Sequence, residues 1–188
     1  PFKQVDLGDG VSLGFSEDLL NADMVVNLPV LKTHAQTKVS LGLKNLKGCI
    51  DKKSRKLCHS PDMILDLDAH VAKLSSVVKN VVTIIDGIYT LEKGPGFTGN
   101  ARRSDILIAS SDMVSADIVG AAALGFDPAE IRHLAIRCKE RGMEPALSSV
   151  ELVGEPLANV ASAHAWDYPY NPENTLPAEM VKGSETGL

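Results

Sequence analysis

Apolar residues recur along this chain in two rhythms. Near-continuous apolar runs at 24–28 and 81–86 have the character of strands covered on both faces of a parallel sheet. Shorter runs at 105–110 and 150–153 read as two further strands. Between them the apolar positions return every three or four residues. Val39, Leu43, Leu46 and Ile50 predict a helix over 37–50, with Thr37, Ser40, Lys44 and Lys47 on the polar stripe beside them. Ile64, Leu67, Val71, Leu74 and Val78 predict a second helix over 61–79, opened by Ser60 and Pro61, with His70 as a half-buried packing residue. Asp112 is a good N-cap for a helix to about 124, stopped by Gly125, and another helix fits from Pro128 to about 141, before Gly142.

The remaining segments are polar or rich in glycine. Residues 1–15 read as a short strand with an Asp-Gly turn, and 16–21 as a short helix. Residues 51–60 read as a basic loop. Residues 87–104 carry Gly87, Gly94, Gly96, Gly99 and Pro95, which predicts a long irregular loop. Strands alternating with helices in this order predict an α/β fold: a layered, mostly parallel sheet with flanking helices. A length of 188 residues suits one such domain, placed at 1–160, followed by a polar, proline-containing tail at 161–188.

Charge changes this picture locally. The chain has a formal charge of −5, yet the window 32–56 holds eight Lys and Arg against one acid, Asp51. An acidic protein with one basic window argues against nucleic acid as partner and for a local anion site. Three cysteines, Cys49, Cys58 and Cys138, have no C-x-x-C spacing. That argues against a zinc knuckle, a disulfide framework and a self-contained iron–sulfur cluster, and for reduced thiols in the cytoplasm. No apolar run is long enough to span a membrane, so no membrane partner is expected.

The candidate chemistry starts where the first strand ends. Lys32 and His34 follow it, and Lys44 and Asn45 project from the predicted helix. Donors fixed at a strand end beside a helix start are how α/β proteins hold anions; the plainer reading is a solvated basic helix. In an open parallel sheet ligands sit beyond the carboxyl ends of strands, so Lys32-Thr33-His34, Asp86-Gly87 and Ser110-Ser111-Asp112 would share a crevice if their strands are neighbours. Asp86 is then a base or metal ligand, or else a turn acid. Glu92, Gly94 and Gly96 would belong to a loop closing over the ligand. Asp117, if inward, needs a partner and is the more interesting acid of its helix. His34, His59, Asp86 and Glu92 supply mixed ligands for a divalent metal, though without H-x-H or H-x-x-x-H spacing. Cys49 reads as a small residue at a helix end. There is no phosphate-binding P-loop and no G-x-G-x-x-G after a strand.

The stretch VNLPVLKTHAQTKVSLGLKNLKG resembles the signature of a family catalogued as domain of unknown function 362. The pattern P-x-x-K-T-H falls on Pro29, Lys32, Thr33 and His34, and the later T…K-N-x-x-G on Thr37, Lys44, Asn45 and Gly48. IIDGIYTLEKGPGFTG and SSDMVSADIVGAAALGFD resemble two further motifs in family order, with Lys93 and Ser115 as departures. The resemblance supplies candidate positions and no mechanism; ligand-binding roles are expected for Lys32, Thr33, Lys44, Asn45, Gly48, Gly94, Gly96 and Asp117, and catalytic roles for His34, Asp86 and Glu92. Family members carry a longer stretch before the lysine–histidine motif, so the chain is expected to be a fragment. The function expected is binding of an anionic small molecule, with loop 87–104 as lid. The alternative is a non-catalytic accessory or electron-transfer role, in which the basic loop at 51–56 docks a ferredoxin-like module or protein.

Overall fold

The computed structural model describes residues 1–59, 66–93 and 99–166. The chain opens with an antiparallel hairpin, β1 (Phe2–Asp6) and β2 (Ser12–Ser16), whose turn places Asp9 and Gly10 at φ 53° and 75°. The short helix α1 (Glu17–Asn21) leads to β3 (Val25–Asn27), and β4 (Val30–His34) follows beyond Pro29. Next come β5 (Lys38–Ser40), α2 (Gly42–Asn45), a 3-10 turn at Leu46–Cys49, α3 (Lys52–Leu57) and α4 (Leu67–Leu74). Two long strands, β6 (Val81–Glu92) and β7 (Asn100–Ser110), precede α5 (Met113–Ala123), α6 (Arg132–Glu140) and α7 (Leu157–Val160).

The sheet is built on β6. β3 and β4 lie in succession along one of its edges, both parallel to it, with Val25 opposite Val81 and Val30 opposite Asp86. Pro29 cannot donate to a ladder, but its carbonyl accepts Asp86 N–H at 2.8 Å and so bridges the two short strands. β5 adds antiparallel to β4, and β7 adds antiparallel to the other edge of β6. The α/β class expected from the sequence is present, with helices flanking the sheet. The core forms under the sheet from Leu31, Val39, Leu41, Ile85, Ile118 and Ala121, and continues through Leu43, Leu46 and Ile50 to Phe15, Leu13 and Val71. α5 packs closely because it is small. A Cβ on Gly120 would lie 3.1 Å from the methyl carbons of Ile85 and Leu41. On the opposite face Val26, Leu28, Val30 and Leu107 are exposed.

Four local expectations fail for physical reasons. The helix at 37–50 is instead a strand followed by a short helix and a 3-10 turn. His34 Nδ1 accepts the Gln36 and Thr37 N–H groups, Lys38 takes φ 59°, and the chain doubles back as β5. Val39, Leu43, Leu46 and Ile50 are all buried, so the apolar positions were legible although their backbone was not. The loop at 87–104 is mostly the β6–β7 ribbon, paired from Thr83–Ser110 to Glu92–Asn100 with a register shift between Gly87 and Tyr89. Gly87 serves close packing, since a Cβ there would meet Ile106 Cγ1 at 2.7 Å and Leu31 Cδ2 at 3.0 Å. Gly94 and Gly96 lie outside the described residues. The segment 51–56 belongs largely to α3, capped by Asp51 through Ser54 N–H at 2.7 Å. No strand forms at 150–153, where Val153 is 81% exposed. The helix expected at 61–79 is described as Leu67–Leu74, and Ile64 lies outside the described residues.

Candidate functional site

A helix of one turn has little stability of its own, so α2 must be held from outside. Asp117 on α5 does this. Its two carboxylate oxygens accept the N–H groups of Gly42 and Leu43 at 2.7 and 2.9 Å, satisfying donors that a helix start leaves free. Asp117 is fully buried, and burial pushes its pKa up to about 7 against the pull of those two hydrogen bonds. Gly42 is required here, because a Cβ would sit 2.8 Å from Asp117 Oδ1. The anion at this helix start is therefore a side chain of the protein itself, and Asp117 positions α2 instead of meeting a ligand. Asn27 fastens the same turn to β3. Its amide donates to Gly42 O at 3.0 Å, and its carbonyl accepts Asn45 Nδ2 at 2.8 Å.

The end of α2 presents the opposite situation. Lys44 and Lys47 act electrostatically on His34 of β4 and on His59, which follows α3, with Lys32 of β4 acting on Lys44 and His34. Burial first, and then the charges of Lys47 and Lys32, lower the Lys44 pKa to about 7. His34 is held well below its usual value by burial and then by the charges of Lys44, His59, Lys47 and Lys32. His59 falls to about 4 through burial, followed by Lys47 and Lys44, and its Nε2 lies against Lys47 Nζ. Lys47 is lowered too, chiefly by burial. Asp68 is the acid whose charge acts on Lys44, but its carboxylate is bonded to His133 Nδ1 at 2.8 Å. Among the described residues Lys32 and Lys44 have no ion-pair partner. Five basic groups thus influence one another, and among the described residues Asp68 is the acid that acts on Lys44.

The other expected residues lie elsewhere or are engaged. Asp86 sits in the middle of β6 on the exposed face, where its carboxylate accepts Ile88 N–H at 3.0 Å, as a turn acid does. Glu92 accepts Ala165 N–H at 2.9 Å and Arg102 Nη1 at 3.2 Å, and the Ala165 bond foremost holds its pKa down. Ser110 lies beside Thr83 at the start of β6, and Asp112 caps α5 through Ser115 N–H at 3.1 Å. The shared crevice fails because β7 runs antiparallel, which sends its carboxyl end away from that of β4. Thr33 is buried and its hydroxyl accepts Lys93 N–H at 3.1 Å. Asn45 is tied to Asn27, and Gly48 is exposed with open space around it. Among the described residues no three His, Cys, Asp or Glu side chains are disposed to share a metal ion.

Two features were missed in the pattern. Lys47 and His59 join the basic group, although the sequence offered them only as a polar stripe and a metal ligand. Residues 161–166, expected as the start of a polar tail, run along the end of α5 and the far end of the sheet. Ser162 and His164 donate N–H groups to Ala123 and Leu124, His164 Nε2 meets Thr90 Oγ1 at 2.7 Å, and Trp166 Nε1 donates to His34 O at 2.8 Å. Lys38 lies 5.4 Å from the centre of the Trp166 ring. A lone aromatic ahead of a proline-rich stretch was the available signal.

The model of the family described as domain of unknown function (DUF362) matches residues 1–122. A thylakoid-associated protein of Synechocystis sp. is 32% identical over 143 residues, which cover 73% of this chain and 43% of that relative. The chain therefore spans less than half the length of this relative. No solved structure matches it. Among the described residues no helix is long and apolar enough to cross a membrane.

Proposed function

The chain belongs to the DUF362 family, and we propose that its domain binds an anionic small molecule, carrying phosphate or carboxylate, over Lys32, His34, Lys44, Lys47 and His59. One observation carries this reading. Like charges gathered in a half-buried place repel one another and lose water, and a fold that keeps them gains when a ligand brings the missing negative charge. The anchored N-terminus of α2 supports it, because it fixes the root of Lys44 whether or not a ligand is bound. The carboxylates of Asp86 and Glu92 are outside this reading, since one faces solvent on the middle of β6 and the other is occupied by Ala165 and Arg102. The same reading puts the domain in the cytoplasm, where a reducing poise keeps Cys49, Cys58 and Cys138 as free thiols.

Calorimetric titration with inorganic phosphate at low salt tests the site. Charge-assisted hydrogen bonds are worth about 1.5–3 kcal/mol each, so Lys32→Ala or Lys44→Ala should weaken binding about ten- to hundredfold. Lys53→Ala, on the surface of α3, should change it only through salt-screened attraction. Equal losses in all three variants, or no heat of binding for phosphate or for a dicarboxylate, would remove the site.

A further inference from the structure

We propose that Lys44 is the reacting group of this site, an amine that condenses with the carbonyl of an anionic aldehyde or ketone. The inference rests on the anion reading, because Lys32 and Lys47 are the groups that hold the anionic end of such a substrate. Four observations converge on this lysine. It is half-buried, and burial is the largest cause of its lowered pKa. It has no carboxylate partner among the described residues, since Asp68 is engaged by His133. Its helix is pinned by Asp117 and Asn27, which holds its stem in one place. The charges of Lys47 and Lys32 act on it, and desolvation beside another cation is how proteins make a lysine nucleophilic at neutral pH. With its pKa lowered to about 7, the amine carries a free lone pair at neutral pH far more often than an ordinary lysine does.

The chemistry balances without an oxidant or reductant. The Nζ lone pair adds to the carbonyl carbon while a proton moves from nitrogen to oxygen. The C–O bond then breaks, one water leaves and a C=N bond remains. His34 is suited to carry the proton. Its Nδ1 accepts the Gln36 and Thr37 N–H groups at 3.2 and 3.4 Å, which leaves its ring proton on Nε2 as a donor. His59 supplies a second imidazole in the same neighbourhood, held neutral by burial and then by Lys47 and Lys44.

The test treats the unaltered full chain with pyridoxal 5′-phosphate, an anionic aldehyde, reduces the adduct with borohydride and maps the labelled peptides. At pH 7 Lys44 should be labelled at least ~10-fold faster than Lys52, Lys53 and Lys56, and inorganic phosphate should protect it. Labelling of Lys44 no faster than those three overturns the proposal. If phosphate still binds in a Lys32-dependent way in that case, the anion reading stands and only the reactive amine is lost. If pyridoxal without its phosphate labels Lys44 as fast, and phosphate neither binds nor protects, the anion reading has failed and the proposal fails with it.

Discussion

The two ends of α2 treat buried charge in opposite ways. At its start Asp117 meets two backbone N–H groups within 2.9 Å, and its carboxylate is fully buried. At its end burial, and then the charges of Lys47 and Lys32, make the Lys44 ammonium hard to hold, and burial with these lysines lowers His34 as well. Both groups have pKa values near 7, reached from opposite directions. The difference separates a structural site from a candidate functional one. A perturbed pKa alone marks neither; what marks the second is that, among the described residues, Lys44 has no ion-pair partner.

Breaking the first end should have the largest effect. Asp117→Ala leaves two buried N–H groups without acceptors, at about 1–3 kcal/mol each, so urea unfolding should show a loss of about 2–6 kcal/mol. A loss below about 0.5 kcal/mol would mean that α2 is held by packing alone. Leu43→Ala, next to that lock and fully buried, should cost about 2–5 kcal/mol by cavity formation. Retained stability would show that the core closes over the gap.

A third prediction sharpens the contrast through pH. Asp117 has a folded pKa above its unfolded value of 3.8, so its contribution to stability is fully present below about pH 4 and is lost as pH rises through about 7. Lys44 has a folded pKa below its unfolded value of 10.5, so it costs stability below about pH 7, and that cost fades as pH climbs towards 10.5. Measured against wild type, Asp117→Asn should flatten the stability profile between pH 4 and 7. Lys44→Met should flatten it between pH 7 and 10.5 and should be more stable than wild type at pH 6. A variant that shifts the other window instead would reverse the assignment. The smallest effect concerns the thiols: Cys49, Cys58 and Cys138 should all titrate as free in denaturant without reductant, and a count below three would contradict a reduced protein.

How much of this was legible follows from the range over which each signal acts. The apolar runs at 24–28 and 81–86 show two strands of the sheet, and the Asp112 cap with the Gly125 stop shows its covering helix, because these signals are local. Val39, Leu43, Leu46 and Ile50 were placed in the core through the wrong backbone, since a strand followed by a turn of helix can bury the same four positions. The β6–β7 ribbon was hidden by its glycines, and Gly87 turned out to relieve contact with Ile106 and Leu31. Lys32, His34 and Lys44 stood out as charges near a strand end. The pairing of Asp117 with Gly42 spans 75 residues and leaves no mark in spacing. Asn27 was a clearer missed signal: an amide inside an apolar strand had to have a partner, and Gly42 and Asn45 supply it.

The central claim is that the cations at the end of α2 await an anion, and nuclear magnetic resonance titration of the Lys44 side chain measures it directly. The account predicts that Lys44 titrates near pH 7 in the free protein, and that saturating phosphate moves it upward as the anion stabilises the ammonium. A Lys44 that titrates at the ordinary lysine value, and does not respond to phosphate or to a dicarboxylate, would contradict it.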